Sequence, residues 1–301
     1  MRQIKFTDNT MKGLKIIVLA KQVPDTRNVG KDAMKSDGTV NRAALPAIFN
    51  PEDLNALEQA LRIKDKNPGS TITVVTMGPG RAADVIREAM FRGADDGVLI
   101  TDRAFAGSDT LATSYTISLA LKKMMPFDVV IAGRQAIDGD TAQVGPQVAE
   151  KLGIPQVTYA EDVISATGKE VKIKRRLERG VEVVVAQKPV LITVHSSAPD
   201  CRSRNSKLTM KYKHAKTTSE LQSADQDYET IQKQRPYLFI EEWSVANLDA
   251  EPMKLGLNGS PTKVKTIQNV VLTAKDTVAL TSADKDIDFL MKELIDNHTI
   301  G

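Results

Sequence analysis

The chain has 301 residues, 41% hydrophobic and 26% charged, the balance of one large globular domain with appendages or of two small domains. Its 41 basic and 38 acidic residues leave a net charge of +3, too even for a nucleic-acid partner. No window reaches the roughly 18 apolar residues of a membrane span, and the single Cys201 excludes an intrachain disulfide framework, so a cytoplasmic chain in a reducing compartment is expected.

Residues 1–13, "MRQIKFTDNTMKG", lack the apolar core of a secretory signal and read as a frayed extension, with Met11 as an alternative start to Met1. From residue 15 to about 194 short apolar runs alternate with amphipathic helices. "KIIVLAK" (15–21), "TITVVTMG" (71–78), "DGVLIT" (96–101), "DVVIAG" (128–133) and "PVLITV" (189–194) lack a clean period of two, as strands covered on both faces do. In "NPEDLNALEQALRIKDK", Asn50 stands at the N-cap and Pro51 at the first helical position. Glu52 and Asp53 lie against the positive helix end, and Leu54, Leu57 and Leu61 form one face. "GPGRAADVIREAMFRGADDG" repeats the logic: Gly78, Pro79 and Gly80 turn the chain, Val85, Ile86, Ala89 and Met90 are buried, and Gly93 closes the helix. "SDTLATSYTISLALKKMM" (108–125) is a third helix, capped by Ser108 or Asp109. This rhythm specifies βαβ units and a parallel sheet.

In "AGRQAIDGDTAQVGPQVAEKLG" (132–153), Gly133 ends a strand and Pro146 is expected to open a helix. Ligands of open α/β sheets sit outside the carboxyl ends of the strands. The loop between offers Arg134, Gln135, Asp138, Gly139, Asp140, Thr141 and Gln143 there, with Gly139 and Gly145 able to adopt positive φ or admit close approach. Such a loop can present N–H groups and hydroxyls to a phosphate, with the aspartates accepting from ribose hydroxyls; a plain capped connection is the competing reading. "LAKQVPDT", "FNPED" and "TMGPG" open onto the same edge. Neither familiar glycine-rich phosphate loop is present, the calcium-loop spacing is incomplete, and His195, His214 and His298 lack metal-ligand spacing with Cys201 or each other. No hydrolase-type nucleophile signature occurs.

Residues 167–188, around "ERG", alternate as a β-hairpin on one edge of the sheet. Beyond about 200 the pattern dissolves. Residues 217–235 are polar, and 236–301 mix "PYLFIEEWSV", "LGLNGSPTKV" and a closing amphipathic helix. That tail is too poor in apolar residues for a core of its own and is expected to wrap its own domain or a partner.

"KIIVLAKQVPDT", "VNRAALPAIFNPEDLNALEQAL", "VVTMGPGRAADVIREAMFRGAD", "AGRQAIDGDTAQVGPQVAEKLGIP" and "GSPTKV", in that order, resemble the β subunit of electron-transfer flavoproteins across most of residues 14–264. "RRLERGVEVVVAQKPVLIT" resembles the family's signature segment, with Arg179 where an acidic residue or glycine is usual. The resemblance implies a Rossmann-like, adenine-nucleotide alpha-hydrolase-like α/β domain over 14–200, carrying the hairpin. A C-terminal arm and terminal helix over 201–301 would wrap an α subunit in a heterodimer. It implies a nucleotide site at Leu19, Ala20, Asn50, Pro51, Glu52, Asp53, Met77, Gly133, Arg134, Gln135, Ala136, Ile137, Asp138, Gly139, Asp140, Thr141, Ala142, Gln143 and Val144. The nucleotide is AMP in the single-electron shuttles of the family. In the bifurcating type it is a second FAD, which takes hydride from NADH; one electron then goes to ferredoxin or flavodoxin and the other onward to a dehydrogenase, such as an acyl-CoA type. "DGDTAQVGP" resembles the bifurcating type more than the Cys-Asn-Gln-Thr-like run of the AMP type. Chemistry then belongs to the flavin, and no catalytic side chain or metal is expected. Arg134 is expected near the flavin or its phosphates, against a surface salt bridge as the plainer role. By resemblance, "GPGRAAD" is a candidate nicotinamide contact or simply a tight turn. "SRNSKLTMKYKHAK" falls where the family docks dehydrogenases, with Ser206 at the place of the usual apolar anchor and Leu208 nearby. A nucleotide-sensing protein and an ATP-pyrophosphatase are the other readings of such a fold; the latter wants a Ser-Gly-Gly-type loop that "AKQVPDT" does not offer.

Overall fold

The computed structural model describes residues 13–25, 46–262, 277–297 and 299–300; the expected extension at 1–12, the start of the "VNRAALPAIFN" motif and the end of "GSPTKV" lie outside them. The five expected strands form: β1 (Lys15–Leu19), β4 (Thr71–Met77), β5 (Asp96–Ile100), β6 (Val129–Gly133) and β10 (Val190–Val194). β2 (Gln22–Pro24) and β3 (Ala47–Phe49) pair in a small antiparallel ribbon beside them. The connecting helices are α1 (Pro51–Lys66), α2 (Ala83–Arg92), α3 (Thr110–Lys123) and α4 (Val144–Leu152).

Both faces of the five central strands are buried. On β1, Ile16 and Val18 join Leu57, Leu61, Ile86 and Met90 of α1 and α2 in one core. Ile17 and Leu19 join Leu121 of α3 and Val148 of α4 in the other. Alternate side chains thus meet apolar partners on opposite sides, so the run reads as continuously hydrophobic. Gly93 ends α2 at φ +130°, its N–H bonding the Ala89 and Met90 carbonyls.

The order across the sheet is β11-β12-β5-β4-β1-β6-β10-β7-β8-β9, counting described residues. Strand β7 (Gln156–Thr167) went unread in the sequence, because bulges at its pairings with β10 and β8 break the alternation. It is parallel to β10 and antiparallel to β8 (Glu170–Leu177), which turns through Glu178 and Arg179 into β9 (Gly180–Gln187). From residue 201 to 262 the chain stays on this body. Helix α5 (Ser206–Tyr212), capped by Asn205, packs on α2, and β11 (Lys216–Thr217) leads into α6 (Thr218–Ser223) and α7 (Tyr228–Gln234). Strand β12 (Phe239–Trp243) then extends the sheet in parallel beyond β5, followed by α8 (Val245–Leu248). Helix α9 (Asp284–Asp296) carries Ile287, Leu290 and Met291 exposed along one stripe. No helix among the described residues is long and apolar enough to cross a membrane.

One boundary differs from expectation. Helix α4 begins at Val144 rather than Pro146, which occupies the third helical position. First-turn N–H groups have no intrahelical acceptor, so proline is admissible throughout that turn.

Candidate functional site

The carboxyl ends of β1, β4, β5 and β6 open into a cavity of about 710 Å³. Of the residues expected at a nucleotide site, Leu19, Ala20, Asp53, Met77, Gly133, Arg134, Gln135, Ala136, Gly139, Asp140, Thr141, Ala142, Gln143 and Val144 line it. Asn50, Pro51, Glu52, Ile137 and Asp138 do not. Two of those five, Asn50 and Glu52, brace the loop from behind together with Asp53.

The bracing comes from the N-terminus of α1. Asn50 does not cap its helix with its side chain. Its Nδ2 instead donates to the Gln135 carbonyl at 2.9 Å, and its Oδ1 accepts from the Ile137 N–H at 3.2 Å. Glu52 accepts from the Gln135 N–H at 2.8 Å and pairs with Arg134 at 3.2 Å. Asp53 accepts from the Gly133 N–H at 3.0 Å and the Lys21 N–H at 2.8 Å, tying the ends of β6 and β1 together. Burial pushes the Asp53 carboxyl from 3.8 up to about 7, against the opposing pull of those hydrogen bonds. Across the mouth, Lys21 Nζ holds Asp138 at 2.7 Å.

Gly133 is required here. A Cβ on it would lie 2.4 Å from Asp53 Oδ1 and 2.7 Å from the Glu52 carbonyl carbon. Positive φ, expected of Gly139 or Gly145, falls instead on Asp140 (48°) and Ala142 (53°). A Cβ on Gly139 meets nothing within 4 Å, whereas one on Gly145 would strike the Thr193 side chain at 2.5 Å. Close approach is thus the use of Gly145, and Asp140 holds its turn with its carboxylate accepting from Gln135 Nε2 at 2.9 Å.

The hydrogen bonds divide the loop in two. The N–H groups of Gly133, Arg134, Gln135, Ile137, Gly139 and Asp140 are all bonded within the protein. Those of Thr141, Ala142, Gln143, Val144 and Gly145 have no acceptor among the described residues, and they lead into the positive end of α4. The second half of the loop is therefore the anion-binding half. Arg134 packs its guanidinium 5.6 Å over the Tyr159 ring, and its buried Nε has no partner among the described residues.

The facing wall, residues 101–110, was missed as a site in the sequence. Thr101, Asp102, Arg103, Phe105, Gly107 and Thr110 line it. Arg103 has no ion-pair or hydrogen-bond partner for its side chain among the described residues, so a cation faces the cavity unneutralised. This wall is propped by the distant tail. Ser260 Oγ accepts from the Asp109 N–H at 2.8 Å, and Thr262 Oγ1 donates to the Asp109 carboxylate at 2.7 Å. Asp109 in turn caps α3 through the Leu111 and Ala112 N–H groups. The "GSPT" motif was the available signal, since its partner in space is this loop. Pro79, in the "GPGRAAD" turn, reaches the same cavity.

The arrangement offers unspent N–H donors, three cations (Lys21, Arg103 and Arg134) and an apolar floor, with its carboxylates engaged in hydrogen bonds within the protein. That suits a phosphorylated, aromatic ligand. The electron transfer flavoprotein domain matches residues 37–223. The chain is 45% identical to the electron transfer flavoprotein subunit beta of Clostridium acetobutylicum over 84% of this chain and 86% of that protein. It is 42% identical to the caffeyl-CoA reductase-Etf complex subunit CarD of Acetobacterium woodii, covering 83% and 86%. Protein FixA of Azotobacter vinelandii is 38% identical over 90% and 89%. With this cavity at the strand ends of a Rossmann-like sheet, the chain belongs to the electron transfer flavoprotein family as one of its β subunits, and its function is electron transfer.

Proposed function

We propose that this chain pairs with an electron-transfer flavoprotein α subunit and holds FAD, rather than AMP, in the strand-end cavity. The complex takes hydride from NADH and divides its two electrons. One passes to ferredoxin or flavodoxin, the other to a dehydrogenase of the acyl-CoA type, by way of the α subunit's flavin. The observation that carries this reading is the reach of the cavity. Its lining runs from the 133–145 loop to the 101–110 wall, and about 710 Å³ lies high in the ~300–1,000 Å³ range of small-molecule sites. A dinucleotide spans both walls; a mononucleotide leaves the wall of Arg103 without a task. The relatives' names support the partners, CarD being a subunit of a caffeyl-CoA reductase complex.

Bound there, the flavin would supply two-electron acceptance and one-electron release. The chain's own residues do the rest. The N–H groups of 141–145 and Arg103 bind phosphate, and Leu19, Ala20 and Met77 exclude water from the aromatic part. Asn50, Glu52 and Asp53 fix the loop, and Arg134 sets a cation beside the site. Residues 14–200 form the nucleotide domain. Residues 201–262 pack on that domain and prop its cavity wall, and beyond them α9 reaches the α subunit as an arm through its apolar stripe.

The test is a cofactor count on the heterodimer reconstituted with FAD, then denatured. Two FAD per heterodimer are expected. One FAD and one AMP would make the chain part of a single-electron shuttle, and no flavin at all would overturn the assignment. Arg103→Gln should release this chain's nucleotide about tenfold more readily, the loss of a charge-assisted hydrogen bond. Unchanged retention would remove Arg103 from the site.

A further inference from the structure

The two sides of the strand-end cavity are held by different parts of the chain. The 133–145 loop is fixed by Asn50, Glu52 and Asp53, all from the start of α1. The facing wall, residues 101–110, makes one short turn of its own, in which the Phe105 and Ala106 N–H groups bond the Asp102 and Arg103 carbonyls. What holds that turn in place is a strap from far along the chain, residues 255–262.

The strap lies backbone to backbone on the wall. A Cβ on Gly256 would sit 2.3 Å from the Ala104 carbonyl oxygen and 2.9 Å from that of Ala106, so only glycine admits the approach. A Cβ on Gly107, on the other side, would meet Leu257 Cγ at 2.6 Å. Leu255 and Phe105 are buried in the same core. Ser260, buried, joins the two segments. Its hydroxyl accepts from the Asp109 N–H at 2.8 Å and donates to the Gly256 carbonyl at 2.6 Å. Thr262 donates to the Asp109 carboxylate through its N–H at 3.1 Å and its hydroxyl at 2.7 Å. Asp109 lines the cavity, and these donors engage a negative charge that would otherwise oppose a phosphate. No residue of 255–262 lines the cavity itself.

We propose that Ser260 and Thr262 are positioning residues that set the cavity's preference for a dinucleotide over a mononucleotide, an inference that rests on the nucleotide site proposed above. The phosphate of a mononucleotide needs only the free N–H groups of 141–145, which the strap does not touch. A dinucleotide needs the wall as well, with Arg103 next to Ala104, whose carbonyl Gly256 packs against. The Thr110 hydroxyl does donate across the cavity to Gln143 Oε1, but that bond engages side chains rather than the loop's N–H groups. Residues that hold a binding group in its place act on affinity without touching the ligand. Loss of the strap's contacts therefore weakens the larger ligand and spares the smaller one.

The heterodimer is reconstituted with FAD and AMP at a series of ratios, filtered and denatured, and both nucleotides are counted. The α subunit's own flavin is common to every variant. The wild type should keep FAD in this chain. With Ser260→Ala and Thr262→Val combined, AMP is expected to displace this chain's FAD at an AMP-to-FAD ratio about tenfold lower, while total nucleotide per heterodimer is unchanged. Thr262 is exposed, so Thr262→Val alone leaves folding intact; it should shift the ratio about threefold. Thr262→Ser, which keeps the hydroxyl, should leave the ratio at the wild-type value. An unchanged ratio in the double variant would overturn the inference. So would an equal loss of FAD and AMP, the mark of general loosening. Both results leave the cofactor assignment standing. A wild type that itself prefers AMP would instead overturn that assignment, and with it the preference the strap is proposed to set.

Discussion

Replacing Gly133 by alanine isolates the close approach between β6 and α1. The added methyl must sit where Asp53 Oδ1, the Glu52 carbonyl carbon and the Asp53 nitrogen now lie, at 2.4, 2.7 and 2.8 Å. Two of the three are backbone atoms, so no rotamer change relieves the clash. The helix N-terminus has to move away, at an overpacking cost of about 1–3 kcal/mol. Moving it stretches the bond from the Gly133 N–H to the buried Asp53 carboxylate, worth about 1.5–3 kcal/mol. A destabilisation of about 3 kcal/mol is the expectation, which for a chain of this size lowers the melting midpoint by roughly 6–12 °C. Gly139→Ala is the control. Its Cβ meets nothing within 4 Å, so its effect should stay within about 0.5 kcal/mol. Calorimetry of both variants beside the wild type decides the matter. Gly133→Ala melting within 2 °C of Gly139→Ala, a margin of about 0.5–1 kcal/mol, would refute the packing argument.

Two pH effects follow from the same geometry. The unfolded Asp53 carboxyl ionises near 3.8 and the folded one near 7, so the folded state binds more protons between those values. Stability therefore falls as pH rises through that window, by at most about 4 kcal/mol, and changes no further above it. Asp53→Asn should lack this slope in a melting-versus-pH series, and an identical slope would discount it. Glu161 runs the other way: the Ser197 hydroxyl first, then Arg176 and Lys174, hold it down from 4.5 to about 2. Its contribution is complete above 4.5 and is lost as pH falls toward 2. Glu161→Gln should flatten that acid limb of the unfolding profile; a limb as steep as the wild type's would assign it to other carboxylates.

The central sheet was legible because burial on both faces writes itself as runs such as "VVIAG", and the helices because caps and stripes are local. What stayed hidden was long-range. Residues 156–167 carry bulges and a Tyr159 at φ +57°, so neither period survives in the sequence. Asn50 stands at the N-cap position, yet its side chain serves a loop 85 residues away. The 101–110 wall has no motif of its own. It faces the 133–145 loop only because strand order sets β5 two strands from β1 and three from β6.

The paired acids at the start of α1 have two electrostatic reasons to be there. Carboxylates are favoured at a helix N-terminus, and here they also accept the N–H groups of Gly133, Gln135 and Lys21. The first half of the loop is thereby rigid before any ligand arrives, and its negative charge is spent on backbone rather than aimed at a phosphate. The donors that remain, on 141–145, sit at the start of α4, where the helix end adds positive potential. A loop glycine would have made positive φ cheap. Asp140 and Ala142 adopt it at a cost, which persists because the frame behind them is fixed. A pre-set frame lowers the ordering cost of binding, so loosening it should weaken nucleotide retention even when no residue that touches the ligand has changed.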